Sequence, residues 1–205
     1  MLPPEVAPDE PLVAVPPDPV LLDPLLVDLG EDARVLCVGV GTGQELAHLA
    51  ATFPRWTFVA VDPSGAMIEA CRARAEADGF ATRCRFHHGF LDTLPTGAPF
   101  DAATSFLVSQ FLVDRAERTR FFAGIAARLR TGGPLASSDL ASDTASRAYD
   151  VLLPAWMRMM AMADVSPDAL QRNRDAYRDE GGVPPPTDIA AIITAGGFWQ
   201  STHFF

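Results

Sequence analysis

The 205-residue chain contains no lysine; all 16 of its basic residues are arginine. That absence excludes Schiff-base catalysis and the phosphate-binding lysines of P-loop and kinase folds. Cysteine is scarce. Cys37, Cys71 and Cys84 are widely spaced, odd in number and without a C-x-x-C pair, so neither a disulfide framework nor a metal site is expected. Positive charge is also in deficit. Against 26 acidic residues the net charge is −10, and no basic run offsets it, which excludes a surface that tracks nucleic-acid phosphates. No apolar run reaches the roughly 18 residues of a membrane-spanning helix. The first basic residue is Arg34, so the N-terminus lacks the charged start of a secretory signal. A cytoplasmic chain acting on a small molecule, with no membrane or nucleic-acid partner, is the expectation.

Hydrophobic residues make up 48% and charged residues 20% of the chain, as in an ordinary globular protein. The length suits one domain, 1–205, with a full core. Residues 34–46 organise it. Val35 to Val38 is a short apolar run of the kind buried in parallel sheets. It breaks into Gly39, Gly41 and Gly43, and then into a segment where Leu46, Leu49, Ala50 and Phe53 share one helical face. Strand, glycine turn and helix open a nucleotide-binding βαβ unit, in which a Cβ would obstruct the turn and the approach of a ligand. The pattern is G-x-G-x-G, whereas dinucleotide folds want G-x-G-x-x-G. A second strand, Trp56 to Val61, ends in Asp62, 23 residues after Gly39. A carboxylate at that place accepts from two vicinal ribose hydroxyls. In the next helix Ser64 is the expected N-cap, and Ala66, Ala70, Ala73 and Ala77 are expected to face the sheet.

The alternation continues. Cys84 to His88 reads as a third strand, Phe100 to Leu107 as a fourth and Leu135 to Leu140 as a fifth. A helix from Asp114 would bury Phe121, Phe122, Ile125 and Leu129, and Thr187 to Gly197 reads as a capped, glycine-stopped helix before a sixth strand, Phe198 to Phe205. His87 and His88 are adjacent on a strand and so point to opposite faces, which argues against a metal site. Eight prolines in residues 1–24 make residues 1–30 an arm with a short helix at its end. Residues 141–185, with Tyr149, Trp156, Arg172, Arg174, Tyr177 and a methionine cluster, form a helical insertion on the substrate side of the 34–140 core.

The G-x-G-x-G turn, the acid-tipped second strand, the D-x-S-x-x-M stretch from Asp62 to Met67 and the L-R-x-G-G-x-L turn from Leu129 resemble the class I S-adenosylmethionine-dependent methyltransferases. The resemblance implies a Rossmann-like, doubly wound and mainly parallel α/β sheet. It also implies S-adenosyl-L-methionine as cofactor, S-adenosylhomocysteine as product, and methyl transfer to a small molecule. Gly39, Gly41, Gly43, Asp62, Pro63, Met67, Phe90, Leu91 and Ser105 become the cofactor-binding candidates; no catalytic residue and no metal ligand is indicated. Ser105-Phe106, Gln110-Phe111-Leu112 and the later helices are also similar to carboxy-S-adenosylmethionine synthases, which hold the cofactor's carboxylate with an arginine from the insertion. Three departures stand out. Cys37 occupies the family's acid position before the glycines, Phe90 replaces its adenine-binding aspartate, and the chain stops where a seventh strand would follow. The departures suit a degenerate, partner-binding domain as an alternative, and a truncated sheet would leave an edge on which a second copy could pair as a homodimer.

Overall fold

The computed structural model describes residues 23–143, 146–162 and 183–199. Five strands, β1 (Arg34–Val38), β2 (Thr57–Asp62), β3 (Cys84–His88), β4 (Ala102–Phe106) and β5 (Leu135–Ser138), form one sheet in the order β3-β2-β1-β4-β5. Every pairing is parallel. The chain therefore adds strands outward on one side of β1 and then returns to its other side, the doubly wound arrangement expected from the sequence. The order reverses between β1 and β4, which opens a crevice beyond their C-terminal ends.

Helices α1 (Asp23–Leu26), α2 (Gln44–Thr52) and α3 (Gly65–Ala77) cover one face, where Leu26, Leu46, Leu49, Ile68, Cys71 and Ala75 join Val35, Cys37, Phe58 and Ala60 in one core. Helices α4 (Arg115–Ala126) and α6 (Pro186–Ala195) cover the other, with Phe122, Ile125 and Ile192 against Leu36, Val38, Val61 and Ala103. Helix α5 (Arg147–Met162) lies between β5 and α6 in the chain, inside the expected insertion. Tyr149 and Leu153 on it join Leu140, Val183 and Leu107 in a small separate cluster. At the end of α6 a Cβ on Gly196 would meet Phe122 Cβ at 2.5 Å, so the glycine stop also lets α6 approach α4.

Several expectations need correction. Ala66, Ala70, Ala73 and Ala77 are exposed; α3 buries Ile68, Cys71 and Ala75 instead, because the face that carries Ile68 and Cys71 recovers more area from water. The fourth and fifth strands are shorter than read. Phe100 makes only an isolated bridge to Leu129, and Asp139-Leu140 has left the sheet. Helix α6 starts with proline in its first turn, and no side chain caps it. Residues 198–199 are not in a strand, while 200–205, the arm at 1–22 and insertion residues 163–182 lie outside the described residues. His48 Nε2 lies 2.8 Å from Asp23 Oδ1 and ties α1 to α2.

Candidate nucleotide-binding crevice

The glycine turn is fastened to the tip of β2. Gly39 and Val40 both donate their N–H to Val61 O, at 2.8 and 3.2 Å, and Gly43 N–H closes on Val40 O at 2.9 Å. Gly39, Gly41 and Gly43 have φ of 67°, 54° and 78°, left-handed values that other residues adopt only with strain. Their surroundings differ. A Cβ on Gly39 would meet Val108 Cγ2 at 2.2 Å, and one on Gly43 would meet Cys71 Sγ at 2.6 Å. A Cβ on Gly41 would meet nothing within 4 Å. The outer glycines are required by packing, and the middle one faces open space.

Asp62 closes the other wall. It is 7% exposed, and its two carboxylate oxygens accept from Gly41 N–H at 2.9 Å and Ser64 N–H at 2.8 Å. One lone pair on each oxygen stays available, the number a vicinal diol needs. Ser64 Oγ accepts from Met67 N–H at 3.4 Å, as an N-cap does. Pro63 is exposed, Met67 41% and Phe90 67% exposed, while Leu91 is buried. The last four residues lie just beyond the C-terminal ends of β2 and β3, next to Asp62. Ser105 lies farther along, near the end of β4, with its Oγ buried and without a hydrogen-bond partner among the described residues. His87 Nε2 pairs with Thr93 Oγ1 and His88 Nε2 with Pro63 O, and no group of three metal-ligating side chains stands together among the described residues.

Two acids were not singled out from the sequence. Glu45, in the first turn of α2, accepts from its own and Leu46 N–H, and burial beside Asp62 pushes its pKa up to about 7. Burial, and then the charge of Glu45, raises the Cys37 thiol well above its ordinary range. Asp139, just past β5, accepts from Ser109 Oγ at 2.7 Å, and burial raises it to about 6 against the opposing pull of Arg118. The signal for Glu45 is an acid in the first turn of a helix whose N-cap is glycine; Asp139 carries none until β4 and β5 are known to be neighbours.

A parallel sheet with a G-x-G-x-G turn, an acid at the tip of β2 and a crevice at the switch point defines a Rossmann-like nucleotide-binding protein. Residues 35–133 match the family model described as a methyltransferase domain. Its fold is similar to that of the S-adenosylmethionine-dependent methyltransferase from Clostridium acetobutylicum, with 21% identity, a TM-score of 0.52, and cover of 60% of this chain and 49% of that one. Similarity to CalS10, a SAM-bound amino pentose methyltransferase from Micromonospora echinaspora, reaches 30% identity and a TM-score of 0.50 over 58% of this chain and 48% of that one. The [4+2]-cyclase SpnF is similar over 87% of this chain and 55% of its own, with 19% identity and a TM-score of 0.64. The chain thus spans about half the length of these solved structures. No curated protein matches it in sequence. Residues 35–133, just under half of the chain, thus carry the sequence pattern of a methyltransferase domain.

Proposed function

We propose that this chain binds S-adenosylmethionine in the crevice between β1 and β4 and transfers its methyl group to a small molecule. The observation that carries the reading is the open space over Gly41 beside the buried carboxylate of Asp62. The residues fit the cofactor. A glycine cradle that a side chain would fill accepts the amino acid part, and Asp62 has two acceptor sites left for the ribose diol. Met67, Pro63 and Phe90 offer apolar contact to the adenine, with Phe90 supplying a ring face where it has no acceptor to offer, while Leu91 is buried in the core beneath α4. Ser105, near the end of β4, has a buried hydroxyl without a hydrogen-bond partner among the described residues.

When bound, the cofactor supplies a sulfonium that is already a good leaving group. The chain's own contribution is then in-line positioning and exclusion of water. A base is required only if the acceptor must shed a proton. The cytoplasm as location, action as one domain over 1–205, and pairing of two copies belong to the same proposal.

Calorimetric titration with S-adenosylmethionine, S-adenosylhomocysteine and NAD tests it. The first two should bind with micromolar affinity and NAD should not; absence of binding by the first two would sink the proposal. Asp62→Ala is a poor control, since it strips the partners from two backbone N–H groups of the turn itself. Gly41→Ala is the better one. A second reading, cofactor binding without methyl transfer, is favoured by the buried thiol of Cys37 where the family has an acid. Carboxy-S-adenosylmethionine synthesis is one form of it, and a partner-binding role is the other. Cofactor binding without S-adenosylhomocysteine release across a broad acceptor panel would select it.

A further inference from the structure

The segments that leave β2 and β3 form one wall of the crevice, beside Asp62. Gly89 N–H donates to Asp62 O at 3.0 Å, and His88 Nε2 donates to Pro63 O at 3.2 Å. Two large apolar side chains stand open on this wall, Met67 at 41% and Phe90 at 67% exposure. Neither belongs to a core cluster. An aromatic ring and a polarizable thioether offer faces to a flat ligand, and they offer it no strong hydrogen bond.

The polar atoms behind Phe90 are already engaged. The Thr93 hydroxyl and N–H both donate to Phe90 O, at 2.7 and 3.1 Å. The hydroxyl hydrogen is used there, so His87 Nε2 is the donor in its 2.9 Å bond to Thr93 Oγ1. Arg128 Nη2 and Leu94 N–H both donate to Leu91 O, at 2.7 and 3.2 Å, and the same Nη2 reaches Leu94 O at 3.3 Å. A carbonyl oxygen has two lone pairs, so those of Phe90 and Leu91 are full. Arg128 is itself held by Gly124 O at 3.0 Å, and Leu91 and Leu94 lie in the core with Phe122 and Ile125, which fixes the turn in this setting. The one carboxylate of residues 89–94 is Asp92. It stands in the 3-10 turn Leu91–Thr93, where three residues complete a turn. Asp92 is therefore a third of a turn away from Leu91, which faces α4, and from Thr93, which leans back on Phe90 and His87.

Resting on the function proposed above, we infer that the crevice holds the purine of the cofactor by its faces, on Phe90 and Met67, and leaves the 6-substituent unread. A 6-oxo purine nucleoside thioether then binds as well as the 6-amino one. A site with a dedicated partner for a ligand N–H rejects the analogue that lacks it by orders of magnitude, because the buried partner is left bare. At an open rim the edge meets water instead, which donates to an oxo group as readily as it accepts from an amino group.

The test titrates S-adenosylhomocysteine and S-inosylhomocysteine, which carries hypoxanthine in place of adenine, into the full chain before and after Phe90→Ala. The two constants should agree within about fivefold, since water serves either edge. Phe90→Ala should weaken both by about tenfold, the scale of one base–aromatic stack, with the Tm unchanged because the ring is exposed. A gap wider than about fivefold between the two ligands, or constants untouched by Phe90→Ala, would overturn the inference; a gap that Asp92→Asn closes would give the reading to that carboxylate. Failure of S-adenosylhomocysteine itself to bind would overturn the function proposed above, and this inference with it.

Discussion

A methyl group placed at residue 41 would enter empty space, and one at residue 43 would enter Cys71. The two glycines should thus separate folding from binding. Gly43→Ala meets both left-handed strain and overlap, and should lower stability by about 2–4 kcal/mol. Gly41→Ala meets strain alone, a cost of about 1–2 kcal/mol, yet should weaken S-adenosylmethionine at least about tenfold, because the new methyl occupies the ligand's space. Thermal melts beside calorimetry read both, and equal losses of binding per unit of stability would refute the distinction. Glu45 gives a pH signature. Its folded pKa, about 7, lies above the ordinary 4.5, so the native state holds the proton more tightly and stability falls as pH rises across that interval. Glu45→Gln should raise stability at pH 8 by about 1 kcal/mol, below the full linkage value because solvent reaches the half-buried carboxylate. At pH 4 it should change little. The glycine turn and the acid at the tip of β2 are legible because left-handed backbone and a strand-end carboxylate each restrict residue type. Glu45 was not, since an acid in the first turn of a helix looks like ordinary capping.

At the scale of the element, the loop from Leu107 to Asp114 depends on the Ser109–Asp139 bond. Ser109→Ala removes that donor, and loss of a partly buried hydrogen bond of this kind costs about 1–2 kcal/mol. Asp139 already sits near 6 rather than 3.8, and without Ser109 it should climb further. A raised carboxylate withdraws stability as pH rises through its folded value, so the variant's deficit should be larger at pH 8 than at pH 5. Urea unfolding at the two pH values measures it, and a deficit independent of pH would exclude Asp139 as the partner that matters. Elements were read well where apolar periodicity is strong, as along β1, β2 and α2. Helix α3 was misread because its small residues and its buried residues fall on different faces, and alanine is equally at home on either. The loop's anchor was invisible, because Ser109 finds its partner 30 residues away and only the β4–β5 pairing brings them together.

For the whole molecule, parallel strands carry every strand start to one edge and every strand end to the other, so residues far apart in the chain meet at each edge. At the first edge Arg55 and Arg130 are matched by Glu31, Asp32 and Asp101, and at the second Asp62 stands buried at the tip of β2. The ligand proposed for the second edge tests this directly, since S-adenosylmethionine carries one positive charge more than S-adenosylhomocysteine. The carboxylate of Asp62 and the net charge of −10 favour the cation. The preference should shrink as the screening length falls from about 10 Å at 0.1 M salt to about 3 Å at 1 M. Titrating both molecules at the two ionic strengths should show the S-adenosylmethionine constant weakening roughly threefold relative to that of S-adenosylhomocysteine. A ratio unaffected by salt would mean that the sulfonium is recognised by contacts too close to be screened.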